Sequence, residues 1–414
     1  MYNPPVLHRF SVLACIVVLA CAAIFSSPRA HAQTPTATDA AIRAPSLQYD
    51  LLWTALDRYK TIAATGGWDT LSPGAVLERG AIGRPVAALK RRLIVAGDLD
   101  PAAEAGDAFD DTLADAVLRF QERHGLTGDG RVGVRTLAQL NVPVERRIAQ
   151  IAANLERWRR LPGWPPANRL EVNIAAAVLT ILEADTPVLR TRVIVGSRRF
   201  PTPLLDSKIQ SVVFNPPWNV PARIARNEIL PRLRRQPSYL RDSDIHIVGW
   251  PDDPYGERID WRAFRSLPIL QLQQRPGPKN ALGRIKFDFP NDYSVYLHDT
   301  PGKAAFNLSE RALSHGCVRV EFPEDVARYV LRAELLKTPD LIDNMLSGTE
   351  TASVRVSVPL PVVFAYWTAY VALDGRLHFR NDVYGHDARL GDLPHLTGQA
   401  GSDAATPPGG CAAT

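Results

Sequence analysis

The chain has 414 residues, more than one compact core holds, so two or three domains are expected. With 46% hydrophobic residues, 22% charged residues and 34 prolines, it reads as globular, loop-rich and non-repetitive. The formal charge is only +5, Arg9 and Arg29 of the N-terminal segment contribute to it, and no dense Lys/Arg stripe with aromatics is present, which excludes nucleic acid as a partner.

Residues 1–32 have the layout of a secretory signal peptide: Arg9 as the positive region, "FSVLACIVVLACAAIF" as the apolar region, and Ala30-His31-Ala32 as a small-x-small cleavage site before Gln33. A periplasmic protein is expected. The alternative is an uncleaved signal, because the apolar run is only slightly short of a spanning helix; it would give a transient membrane association. Cys15 and Cys21 lie inside that run rather than at its end, against a lipoprotein site. Cys317 and Cys411 remain after cleavage. Export ordinarily favours pairing two such cysteines, but Cys411 lies in the Ala/Gly/Pro-rich tail 391–414, which has no pattern to order it. Cys317 is therefore expected to stay a free thiol.

Residues 33–79 are read as a linker and the first part of a helical scaffold. Tyr49, Leu52, Leu56, Tyr59 and Ala63 recur at helical spacing over 44–63, and "TGGW" breaks the pattern. Residues 80–142 form a unit of three short helices. The first runs through Val86, Leu89 and Leu93 to Gly97, the second through Leu113, Ala116, Val117 and Phe120 to Gly125, and the third follows the Asp129-Gly130 turn. Residues 143–167 are the second part of the scaffold. From 168 to 390 the period becomes two, with β-branched residues in "LEVNIAAAVLTIL", "LRTRVIVG", "IQSVVF", "YSVYLH" and "ASVRVSV", and Asp374-Gly375 marks a hairpin turn. The basic stretch "PARIARNEILPRLRRQPSYLRD" is expected to be helical, and Pro323 with Glu324 and Asp325 starts a helix just beyond Cys317.

Cys317 sits in "RALSHGCVRV", nineteen residues beyond His298 at the end of a strand. A free cysteine of pKa about 8.5 is only a few per cent thiolate at neutral pH, so a catalytic thiol needs a neighbouring base or cation. His315 in the same turn and His298 across the fold are both candidates. Gly316 lets the backbone turn tightly and aim amide N–H groups at a carbonyl that the sulfur attacks. Zinc would want further ligands at short spacing, and there is no second cysteine or CxxC nearby; neither a metal nor another cofactor is called for.

Two resemblances sharpen this reading. "VAALKRRLIVAGDL" and "AVLRFQERHGLTGDGRVGVRTLAQLN" resemble the peptidoglycan-binding helical module of many cell-wall enzymes, mostly at core and turn positions. "YLHDT" followed by "SHGCVRV", with fifteen residues between His298 and Ser314, together with "RVIVGSRRFPTP", "VVFNPPWNVP" and "RPGPKNALGRIKF", resembles the L,D-transpeptidase family with the YkuD-type catalytic domain, in its large multidomain proteobacterial form. The implied fold class is α+β multidomain: a β-rich YkuD-type catalytic domain, a small three-helix peptidoglycan-binding module and a helical scaffold. In this likeness the insert 222–285 corresponds to a lid over the active-site groove.

The resemblance implies Cys317 as nucleophile and His298 as general base. It gives Gly316 the oxyanion loop, leaves the role of His315 open, and puts Arg319, Ser314, Asn215 and Trp218 at the substrate. Histidine at 315 departs from the serine usual in the large subgroup, whereas Arg319 is usual there and suits a substrate carboxylate; a structural ion pair is the alternative. The implied activity joins peptidoglycan tetrapeptide stems by 3→3 cross-links through a thioester. Alternatives on the same site are an L,D-carboxypeptidase, with water as acceptor, and a transpeptidase that anchors a protein to the wall. A non-catalytic peptidoglycan-binding protein is the remaining class.

Overall fold

The computed structural model describes residues 47–390 apart from 162–164, 264–269 and 373. The signal peptide read in 1–32, the tail 391–414 and Cys411 lie outside the described residues.

Leu47–Ala64 forms helix α1, and Val144–Arg159 forms α5, whose apolar stripes face each other. Leu52, Leu56 and Tyr59 of the first meet Ile151, Leu155 and Trp158 of the second in one buried cluster. Between them in sequence lie α2 (Arg84–Ala96), α3 (Asp111–Arg123) and α4 (Val134–Leu140), packed around Leu89, Leu93, Leu113, Val117 and Phe120. Local chemistry sets their ends: Pro85 stands in the first turn of α2, left-handed Gly97 caps its C-terminus, and the Asp110 carboxylate accepts from Leu113 N–H at 2.8 Å to start α3.

The β-rich part begins with β1 (Arg169–Asn173), β2 (Val178–Glu183), β3 (Thr186–Gly196) and β4 (Leu205–Phe214). It continues after an insert with β8 (Ile285–Asp288), β9 (Leu297–His298), β10 (Ala312–Ser314), β11 (Val318–Val320) and β12 (Ala352–Ala365). Their order is β10-β3-β11-β9-β8-β4-β12-β1-β2, and β2 also pairs with β3, so the sheet closes on itself. Phe287, Leu297, Val318 and Val320 fill its core, joined by Val326, Ala327 and Val330 of the helix Pro323–Val330.

The stretch 221–242 of the insert is helical as expected, and the rest of the insert adds a sheet. Besides the helical run of Ala222–Ile224, the π-turn Ala225–Ile229 and Leu230–Leu233, the insert holds a sheet of β5 (Trp218–Asn219), β7 (Leu272–Gln274) and β6 (Ile245–Ile247) in the order β5-β7-β6. Ile229, Leu233, Leu240, Ile247 and Trp261 give it a core of its own. The boundary 222–285 is corrected accordingly: Trp218 already pairs inside the insert, with Gln274, and Ile285 belongs to the main sheet opposite Phe214. These are pairings between strands far apart in sequence, which leave no periodic trace. The end of the 168–390 region also differs. The hairpin of β13 (Ala369–Val371) and β14 (Leu377–Phe379) is a separate sheet, and Ala369 and Phe379 pack into the α1/α5 cluster. His124 at the end of α3 stacks on Phe379 at 5.6 Å, which seats the three-helix unit on the same cluster.

Candidate active site

Three neighbouring strands build the site. Lys286 on β8 and Arg319 on β11 both stand opposite His298 on β9, so the three side chains form a row across one face of the sheet. Side chains alternate along a strand, so Tyr296 and Cys317, each two residues before a member of that row, share its face. The apolar residues between them, Leu297 and Val318, point into the core and are fully buried. A cleft of about 420 Å³ lies above the row, with Trp218, Arg223 and Ile224 of the insert on one side and Tyr296, His298, Cys317 and Arg319 on the other.

The loop carrying Cys317 is held by its own hydroxyl. Ser314 Oγ accepts from Gly316 N–H at 3.1 Å and donates to the Cys317 carbonyl at 2.6 Å, while Thr202 Oγ1 donates to the Gly316 carbonyl at 2.7 Å. Gly316 has φ of 118°, a backbone region that a side chain rarely adopts. Its N–H is thus committed to Ser314, whereas no hydrogen bond reaches Cys317 N–H among the described residues. Of the two amides, the one at Cys317 is free to meet an oxyanion.

His298 is 5% exposed, and its Nδ1 lies 2.5 Å from the Asp299 carbonyl oxygen. A carbonyl only accepts, so Nδ1 carries the proton and Nε2 keeps its lone pair. Burial, reinforced by the charge of Arg319, lowers the imidazole pKa to about 4, so it is neutral at physiological pH with its Nε2 lone pair free. Burial pushes the Cys317 thiol up, opposed by hydrogen bonding from Tyr296 and by the charges of Lys286 and Arg319. The pair at rest is therefore a neutral thiol and a neutral imidazole in one cleft, with two cations placed to favour the thiolate once the proton moves.

The remaining sequence candidates fall into four groups. Arg319 and Trp218 line the cleft, and Arg319 Nε is buried without a hydrogen-bond partner among the described residues. Ser314 also borders the cleft, but it is 3% exposed and both its hydroxyl bonds go to the loop, which makes it a brace for Gly316 and Cys317 rather than a substrate contact. Asn215 is corrected outright. It is 2% exposed and outside the cleft, and its amide donates to the carbonyls of Met345, Gly348 and Glu350 at 3.0, 3.2 and 3.0 Å. With φ of 48° it takes a left-handed turn that asparagine tolerates, so it pins the chain beyond β4 and has no donor left for a ligand. His315 directs Nε2 to Glu228, 2.6 Å away. Tyr296 and Lys286 are site residues that sequence reasoning misses. Tyr296 carries a signal, being in phase with His298 on a period-two strand; Lys286, whose ammonium also pairs with Asp288 of its own strand at 2.7 Å, carries none that points to the site, because His298 lies on another strand.

A thiol, an imidazole of fixed tautomer, a free amide and two cations share one cleft. Residues 167–356 match the family YkuD, described as "L,D-transpeptidase catalytic domain", and residues 83–140 match the family described as "Putative peptidoglycan binding domain". The chain thus carries an L,D-transpeptidase catalytic domain together with a peptidoglycan-binding domain, in an α+β fold. A protein of Haemophilus influenzae named "Putative L,D-transpeptidase" is 33% identical over 273 residues, which cover 64% of this chain and 54% of that relative, so the chain spans about half its length. Among solved structures, an L,D-transpeptidase from Mycobacterium smegmatis is 14% identical, with 47% of this chain and 57% of that one covered and a TM-score of 0.24. Another from Xylanimonas cellulosilytica is 17% identical, with 71% and 100% covered and a TM-score of 0.23.

Proposed function

We propose that the protein is an L,D-transpeptidase of the periplasm that forms 3→3 cross-links between peptidoglycan stems through a thioester on Cys317. The observation that supports this reading is that Cys317 and His298 line one cleft, with the Asp299 carbonyl holding the imidazole in the tautomer that leaves the Nε2 lone pair free, while the thiol of the resting enzyme points to the Ser294 carbonyl at 3.9 Å. Nε2 takes the thiol proton as the sulfur attacks the carbonyl of the third, L-centred residue of a tetrapeptide stem. The Cys317 amide N–H meets the developing oxyanion. As the tetrahedral adduct collapses, the protonated imidazole returns its proton to the departing amine of D-alanine, leaving the thioester. The side-chain amine of a neighbouring stem then attacks the thioester, loses a proton to His298 and releases the thiol. Lys286 and Arg319 flank the reacting atoms and suit the carboxylate of the diamino acid.

The test is mass spectrometry of muropeptides released from sacculi incubated with the wild-type protein or with Cys317→Ala. New 3→3 dimers with the wild type and none with the variant are the expected result. Tripeptides without such dimers would make water the acceptor, and no change in either stem length or dimers would overturn the reading.

A further inference from the structure

His315 stands two residues before Cys317, yet its ring is engaged elsewhere. Nε2 lies 2.6 Å from Glu228 Oε1. The imidazole also stacks on Phe200, with centroids 4.8 Å apart and planes at 24°. Phe200 in turn carries the Arg223 guanidinium 4.0 Å from its centroid, with Arg199 at 5.2 Å. Arg223 and Glu228 both belong to the helical run that opens the insert. Three separate pieces of chain therefore interlock at this point: the nucleophile loop, the β3–β4 connection and the insert.

Each piece is anchored behind the contact. Thr202 ties the connection to Gly316 and to Gly196 N–H at 2.8 Å. Ile229 and Leu230, next to Glu228, are buried in the insert core. Glu228 itself falls in the π-turn Ala225–Ile229, where the extra residue per turn re-aims the side chain; such turns recur at functional positions. His315 and Arg223 both border the cleft, so the pair ties one wall of the cleft to the other close to the thiol.

We propose that Glu228 is a positioning residue: through His315 it couples the insert wall to the nucleophile loop and so sets the opening of the cleft at Cys317. This gives His315 a role distinct from that of a base, and rests on the reading of Cys317 as the group acylated. The pair is partly exposed, and polar contacts of that kind change an equilibrium by about two- to fivefold.

The experiment is a double-mutant cycle on the full-length protein with Glu228→Ala, His315→Ser and their combination, with Glu228→Gln as a milder second variant. The rate of adduct formation with imipenem is followed by mass across a concentration series, and amide hydrogen exchange is measured over residues 222–233. Each single variant should lower the acylation efficiency about two- to fivefold, chiefly by raising the half-saturating concentration and with the limiting rate retained, because the thiol and His298 are untouched. The double variant should be no worse than the weaker single one, and exchange over 222–233 should quicken in all. Effects that multiply in the double variant, or unchanged exchange, would overturn the coupling. A wild-type protein that takes no adduct would instead sink the reading of Cys317, and the exchange arm would still decide the coupling.

Discussion

The low basicity of His298 sets the pH at which the site should stop working. With the imidazole pKa at about 4, roughly 90% of the protein still holds a neutral base at pH 5, whereas an unperturbed imidazole of pKa about 6.5 would be only about 3% neutral there. The two cases differ about thirtyfold at pH 5. The assay is the rate of adduct formation on Cys317 with a carbapenem at fixed ionic strength, followed by mass between pH 4 and 8. A nearly flat rate from pH 5 to 7, with a fall only as the pH approaches 4, is expected. Arg319→Gln should move that fall upward, because the arginine charge is the second cause after burial that holds the imidazole neutral. An inflection near 6.5 in the wild type, or a tenfold rise per pH unit throughout, would refute the argument that a buried neutral imidazole takes the thiol proton.

Other outcomes follow from the same geometry. His298→Ala should acylate about 10²–10⁴-fold more slowly at neutral pH and regain rate tenfold per pH unit as the thiol ionises on its own; adduct mass against pH measures both. Tyr296→Phe removes a hydroxyl that favours the Cys317 thiolate and should shift the thiol's own ionisation, read by iodoacetamide alkylation, to higher pH. Folding stability should fall as pH drops from about 6.5 toward 4. Burial holds the His124 pKa well below its ordinary value and brings those of His298 and His378 to about 4, so the unfolded chain takes up protons first; the midpoint of urea unfolding against pH checks this. Asn215→Ala should cost about 1–3 kcal/mol of stability, seen in the same unfolding curves, while acylation of the folded protein stays at the wild-type rate.

Much of the molecule is legible in the amino-acid sequence, because the information there is local. The stripe Leu52, Leu56, Tyr59 already describes one face of a helix, and the Asp110 cap and Gly97 stop act within a few residues of the turns they govern. The linkage of His298 to Cys317 comes from a motif rather than from periodicity. It takes the parallel pairing of β9 with β11 to bring "YLH" alongside "GCVR". Asn215 misleads for the opposite reason: it sits two residues before the cleft residue Pro217 in sequence, but its partners Met345, Gly348 and Glu350 lie more than a hundred residues away. The helical stretch of the insert is legible, but its sheet is not, because it consists of two- and three-residue strands, too short to show a period.

By itself, the sequence determined which residues could do chemistry, since a thiol, an imidazole and a guanidinium carry their reactivity with them, and it determined the helices whose apolar spacing is written in consecutive residues. Only the tertiary structure decided what state those groups are in. The neutrality of His298 comes from burial under neighbouring strands, the commitment of Gly316 N–H from a hydroxyl folded over the loop, and the engagement of His315 from Glu228, eighty-seven residues away in the insert. Desolvation and hydrogen-bond partnership depend on distances in space, and those are fixed only when remote segments close over one another.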